Sequence, residues 1–358
     1  MDVQKNINFK KKNSKNESLT FDYIIRYLEP SITEKLYNIP TEIKKKIEEI
    51  RLRNNMPLMI SIAGKDYILS TNGDITHNID EGYIVTKGDI DKSFQILSNY
   101  SVYALEDEIR NGFITIKGGH RIGITGKVNY INNRIETIKN ISSLNIRIAK
   151  EVKGVSDEIF KYLIKKPNSI YHTLIVSPPQ CGKTTLLRDL VRNISNGLTV
   201  YDFKGLKVGL VDERSEIASV YGGETQNDVG IRTDVLDGCK KYDGIIMLIR
   251  AMSPNVIATD ELGDKKDIDA IHEALKAGVK IISTVHGKNI DDIRTKPNLR
   301  KIISEKIFER IIIMDNSNGV GTIRDIVEGH NFKSILKEER KNYVSIKNNR
   351  KYNNNNFI

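Results

Sequence analysis

Ser177-Pro178-Pro179-Gln180-Cys181-Gly182-Lys183-Thr184-Thr185 decides the reading of this chain. An apolar run, Tyr171 to Val176, leads into it. Leu186, Leu187, Leu190, Val191 and Ile194 follow at helical spacing. The pattern is strand, tight loop, helix, with Gly-Lys-Thr where the helix begins. Such a turn suits a phosphate chain: backbone N–H groups converge at the helix start, and the helix dipole adds partial positive charge. Ser177, Pro178, Pro179, Gln180, Cys181, Gly182, Lys183, Thr184 and Thr185 are therefore the expected nucleotide-binding residues. Lys183 would reach the β- and γ-phosphates, and the Thr184 hydroxyl would bind Mg²⁺. Gly182 lets the backbone approach closely. Ser177 stands where the usual loop pattern opens with glycine. If that place requires positive φ, Ser177 carries strain of about 1–3 kcal/mol.

Working forward, two more strand ends carry acids. Leu206 to Val211 is a buried-type run that ends in Asp212-Glu213-Arg214-Ser215-Glu216. Asn255 to Thr259 ends in Asp260-Glu261, roughly 75 residues past Lys183, a common distance for the acidic partner of a phosphate loop. Asp260 is expected to hold Mg²⁺ through water, and Glu261 to polarise the attacking water. Glu213 and Glu216 compete for that second role. Val279 to Val285 is the next strand, and His286-Gly287 closes it, placing His286 to sense the γ-phosphate. Strands alternating with helices predict a largely parallel sheet covered on both faces. The absence of an Asn-Lys-x-Asp stretch favours ATP over GTP. Residues 221–231 contain several glycines and read as a loop.

Working backward, residues 20 to about 150 read as a smaller mixed α/β domain and linker. Helices are expected near Tyr23–Leu28, across Thr41–Ile50 and across Ile90–Leu105. Short strands are expected at Glu49–Arg53, Leu58–Ile62, Tyr67–Leu69, Phe113–Ile116, Ile122–Ile124 and Ile135–Ile138. Lys117-Gly118-Gly119-His120-Arg121 is a basic turn that could meet a phosphate or a neighbouring subunit. Leu144 to Ile148 reads as the bridge between domains, with Arg147 a candidate to reach nucleotide. The expected division is a disordered basic tail at 1–18, the first domain at 20–150, a nucleotide-binding domain at 155–335 and an Asn/Lys-rich tail at 336–358.

Composition sets bounds. The chain has 358 residues, 39% of them hydrophobic, enough for about two domains with real cores. No apolar run nears the ~20 residues that span a bilayer, and the polar, basic N-terminus is unlike a secretory signal. Both points lead to a cytoplasmic expectation. Cys181 and Cys239 are the two cysteines, read as reduced thiols. The formal charge is +10. Much of the excess lies in Lys/Asn-rich ends, so no specific nucleic acid is expected as a partner.

Several motifs in order resemble the stage III sporulation protein AA family of spore-forming Firmicutes. They are Glu49-Ile50-Arg51-Leu52-Arg53, Gly118-Gly119-His120-Arg121, Pro178 to Asp189, Val211 to Ile217, Asp234 to Cys239, Met252-Ser253-Pro254 and Thr284-Val285-His286-Gly287. The resemblance covers about residues 20 to 335. That family is similar to the ring-forming ATPases of type II and type IV secretion. The resemblance implies a RecA-like P-loop domain of α/β fold preceded by the smaller α/β domain. It makes Asp212, Glu213 and Glu216 an acidic box, Glu261 a second acidic motif and His286 a histidine box. It also implies a homohexamer in the mother-cell cytoplasm, docked on a membrane-embedded sporulation secretion complex and powering transport or assembly.

The expected activity is ATP hydrolysis with Mg²⁺, assisted by an arginine from a neighbouring subunit: Arg147, Arg214 or Arg250. Two alternatives stand beside it: a RecA-like ATPase stimulated by nucleic acid, and a scaffold that binds ATP without hydrolysing it.

Overall fold

A computed structural model describes residues 17–98 and 105–337. The chain divides into two compact units. Of the described residues, one comprises Val152–Ala218 and those from Asp228 onward; the other comprises those up to Glu151 and the segment Ser219–Asn227.

The unit that carries the phosphate loop is built on a seven-stranded sheet. Its order is Thr233–Asp237, Val208–Asp212, Val256–Thr259, Lys280–His286, Thr173–Ser177, Arg310–Asp315, Thr322–Glu328. The first six strands run parallel, and the last pairs antiparallel to Arg310–Asp315. Every residue of Thr173–Ser177, Val208–Asp212 and Val256–Thr259 is buried. That is why these segments read as continuous apolar runs rather than alternations: a parallel sheet is covered on both faces. The helix Lys183–Asn196 buries Leu186, Leu187, Leu190, Val191 and Ile194, the face its spacing predicts. Helices Lys241–Met252 and Lys265–Lys276 add further cover. Asp264 and Asp267 form a capping box at the start of the latter.

Register brings the strand ends level. Ser177 pairs with His286, and Thr259 with Ser283. The phosphate loop, Asp260-Glu261 and His286 therefore share the carboxyl edge of the sheet, where open α/β sheets bind ligands.

The other unit has a seven-stranded sheet in the order Ile75–Thr76, Lys65–Leu69, Met59–Ile62, Ile47–Arg53, Arg134–Arg147, His120–Ile131, Phe113–Ile116. All its pairings are antiparallel. Helices Pro30–Tyr37 and Lys87–Leu97 contribute Ile32, Leu36, Ile90 and Leu97 to its core, which also holds Ile47, Ile50, Leu52, Ile122 and Ile146. The small hairpin Val220–Tyr221 with Glu224–Thr225 belongs to this unit. It lies in the stretch that the sequence reads as a loop.

Four expectations need correction. The helix expected across Thr41–Ile50 is only Thr41–Lys44, because Ile47–Arg53 is a strand at the centre of the sheet. Ile47, Ile50 and Leu52 are buried in the sheet, with a register shift between Ile47 and Glu49, and this burial overrides the helical reading of the isoleucine spacing. Leu144–Arg147 is no bridge: it ends the long strand Arg134–Arg147 and pairs with both Ile47–Arg53 and His120–Ile131. Glu17 and Ser18, expected in the tail, open the helix Glu17–Ile24. The helix expected to reach Leu105 runs Lys87–Leu97, and residues 99–104 lie outside the described residues. The tails at 1–16 and 338–358 also lie outside them.

One buried carboxylate fixes the entry into the nucleotide-loop unit. Asp189 is 2% exposed. It accepts the Gly154 and Ser156 amides at 3.0 and 2.8 Å, the Ser156 hydroxyl at 2.8 Å and Arg192 Nη2 at 2.7 Å. Asp189→Ala leaves those donors and the Arg192 charge uncompensated. It is expected to cost about 3 kcal/mol in the urea unfolding transition of this unit; an unchanged midpoint would contradict the assignment.

Candidate functional site

The loop after Ser177 takes its shape from its backbone. Ser177 lies in the strand, in extended conformation and fully buried, and its carbonyl accepts the Gly287 amide at 3.1 Å. Left-handed backbone falls instead on Gln180, at φ +59°, and Gly182, at φ +86°. Serine at the opening place therefore bears no positive-φ strain. Cys181 is buried with its thiol free, and its carbonyl accepts the Gly321 amide at 3.1 Å. A Cβ at Gly182 would stand 3.4 Å from Val320 Cγ1, so this glycine also lets the turn before the last strand approach.

Lys183 opens the helix and is only 9% exposed. Its ammonium lies 3.4 Å from Asp260 Oδ1 and 4.0 Å from Glu261 Oε2. Thr184 Oγ1 lies 3.4 Å from Asp260 Oδ2. The Thr284 hydroxyl, from the neighbouring strand, also donates to Asp260. Burial works against ionisation of Asp260. The Lys183 charge, the Thr284 hydroxyl and the Glu261 amide outweigh it, and the carboxyl is held below the usual carboxylate range.

Glu261 is placed by strained backbone. Its φ is +31°, unusual for a residue with a side chain. Its amide donates to Asp260 Oδ1 and to Thr284 Oγ1, both at 2.9 Å. Strain of this kind costs about 1–3 kcal/mol and collects at functional sites. Three side chains approach the Glu261 carboxylate: Arg214 at 3.3 Å, Lys183 at 4.0 Å, and His286, whose Nε2 lies 3.3 Å from Oε1. His286 Nδ1 is buried without a hydrogen-bond partner among the described residues.

The acids after Val211 divide by role. Asp212 is 1% exposed and accepts the amides of Glu216, Ile217 and Ala218 at 2.8–2.9 Å, so it shapes the loop. Glu213 pairs with Lys241. The carbonyls of Glu216 and Ile217 accept from Arg188, each at 2.6 Å. Arg147 belongs to the other unit, where it pairs with Glu49 at 3.2 Å. Thr284 and Lys241 stand out in the structure but not in the sequence. Thr284 sits two residues before His286, and only parallel register shows that it faces Asp260.

Comparison with known proteins follows from this geometry. The family model for Sporulation stage III, protein AA matches residues 21–333. The chain belongs to that family. It is 40% identical over 305 residues to Stage III sporulation protein AA of Bacillus subtilis, covering 85% of this chain and 94% of that protein. Among solved structures, the Legionella pneumophila ATPase DotB aligns over 85% of this chain and 78% of its own, with 14% identity and a TM-score of 0.48. The pilus retraction motor PilT with bound ADP aligns over 76% and 75%, with 16% identity and a TM-score of 0.49.

The depressed Asp260 carboxyl has a sign that can be checked. Its contribution to stability is present above the ordinary carboxylate pKa of about 3.9 and is lost as pH falls through the lower folded value. Lys183→Ala removes the main charge that favours ionisation. The Asp260 carboxyl resonance should then titrate at higher pH than in the unaltered chain, read by ¹³C NMR. An unmoved or lowered titration would contradict the pairing.

Proposed function

We propose that the chain is a Mg²⁺-dependent ATPase with a RecA-like nucleotide domain. It would act as one subunit of a homohexameric motor that energises transport or assembly by a membrane-embedded secretion complex, from the mother-cell cytoplasm during sporulation. The observation that supports this best is the convergence of Lys183, Thr184, Asp260 and Glu261 at the carboxyl edge of a parallel sheet.

A triphosphate in the loop would compete with two carboxylates for Lys183. With the ammonium on phosphate oxygens, the Thr184 hydroxyl would be free as a hard oxygen ligand, the donor type that Mg²⁺ takes, and Asp260 free to hold the metal through water. Bound there, Mg²⁺ would neutralise charge on the phosphates. Glu261 would accept a hydrogen bond from the attacking water. The water oxygen forms a bond to the γ-phosphorus, and the bond from that phosphorus to the bridging oxygen breaks. The water proton passes to Glu261 and on to solvent, leaving ADP and phosphate. His286 and Arg214 keep Glu261 oriented, and both lie near enough to respond when the γ-phosphate leaves. An arginine from a neighbouring subunit, with Arg147 and Arg250 the candidates besides Arg214, would stabilise developing charge. Extended backbone at Ser177 removes one argument for a scaffold that binds ATP without cleaving it.

Phosphate release from Mg-ATP tests this reading. Glu261→Gln is expected to lower turnover by about 10²-fold or more while nucleotide still binds. Turnover per subunit should rise with protein concentration as rings form. Full activity in Glu261→Gln would refute the assigned base, and constant specific activity on dilution would refute the shared site.

A further inference from the structure

A cavity of about 570 Å³ lies wholly within the unit that contains the antiparallel sheet. Its size falls in the range of small-molecule sites. The basic turn Lys117-Gly118-Gly119-His120 forms part of its wall. Gly118 and Gly119 adopt φ of +92° and +75°, turning the chain sharply between Phe113–Ile116 and His120–Ile131. A Cβ at Gly118 would stand 2.6 Å from His120 Nε2, so the turn is folded directly onto the ring. The Gly118 amide is itself held by Gln226 Oε1 at 2.7 Å.

His120 is 1% exposed. Its Nδ1 accepts the Ala149 amide at 3.0 Å. Burial pushes its pKa down to about 4. The ring is then neutral near pH 7, and with Nδ1 accepting, its proton sits on Nε2. No described residue accepts from that N–H, although the ring lines the cavity. An acceptor entering the cavity would find this N–H available at its wall. Charge around it agrees. Lys117 has no acidic partner among the described residues. Lys150 is drawn to the same wall by donating to the Lys45 carbonyl at 2.8 Å. Lys44 is committed to Asp22, Lys45 pairs with Glu42, and Glu151 is the one carboxylate on the lining. Tyr23 and Ile47 supply apolar wall.

We propose that this cavity binds a small phosphorylated organic molecule, its phosphate held by His120 Nε2–H and by the Lys117 and Lys150 ammonium groups, its body against Tyr23 and Ile47. None of the cavity's lining residues belongs to the loop Ser177–Thr185. Histidine-selective NMR of the full chain, titrated with ribose 5-phosphate, tests it; His120→Gln identifies the His120 signal. The expected result is a saturable shift of the His120 signal with the His286 signal unmoved. Lys117→Glu, a change at an exposed side chain, should weaken binding about tenfold. Absence of a His120 shift at millimolar ligand, a shift confined to His286, or undiminished affinity in Lys117→Glu would overturn the proposal. Equal affinity for inorganic phosphate would overturn the organic ligand in favour of free phosphate.

Discussion

The nucleotide-loop unit depends on one nearly buried ammonium group. Lys183 sits at the first turn of a helix, where the dipole already favours negative charge, and it is screened from water on almost every side. A cation in that position must be compensated, because its desolvation outweighs any single weak contact. Asp260 and Glu261 supply the compensation from the end of another strand. Their own placement then requires Thr284, His286 and Arg214. The strand order, the register of the strand ends and the left-handed turn at Glu261 all serve to bring these groups around one charge.

That arrangement is a balance rather than a lock. Two carboxylates share one lysine, and Glu261 is shared again with an arginine and a histidine. Lys183 is thus a cation with more than one acidic partner, and Glu261 a carboxylate with more than one donor. His286 and Arg214 both touch Glu261, which in turn approaches Lys183.

Much of this was legible in the residues. Tyr171–Val176 followed by Gly182-Lys183-Thr184 specifies strand, loop and helix locally, since each signal is short-range and each reinforces the next. Asp260-Glu261 and His286-Gly287 were found for the same reason: they end apolar runs typical of a covered parallel sheet. What sequence could not carry was pairing across long separations. The partnership of Thr284 with Asp260 depends on register between strands. Lys241 meets Glu213 only because a helix returns over the sheet. In the unit with the antiparallel sheet, Ile43, Ile47 and Ile50 fit a helical spacing, yet burial in the sheet decided the outcome from Ile47 onward. Ser177 shows the opposite lesson: a departure from a pattern read as strain proved to sit in ordinary extended backbone, with the positive φ at Gln180 and Gly182.

Calorimetric titration of the full chain with ATP, in the presence of Mg²⁺ and again with the metal chelated, tests the central claim most directly. Exchange of partners at Lys183 predicts saturable binding near one nucleotide per chain, tightened by Mg²⁺ and lost in Lys183→Ala. Absence of binding, or binding that survives Lys183→Ala undiminished, would contradict it.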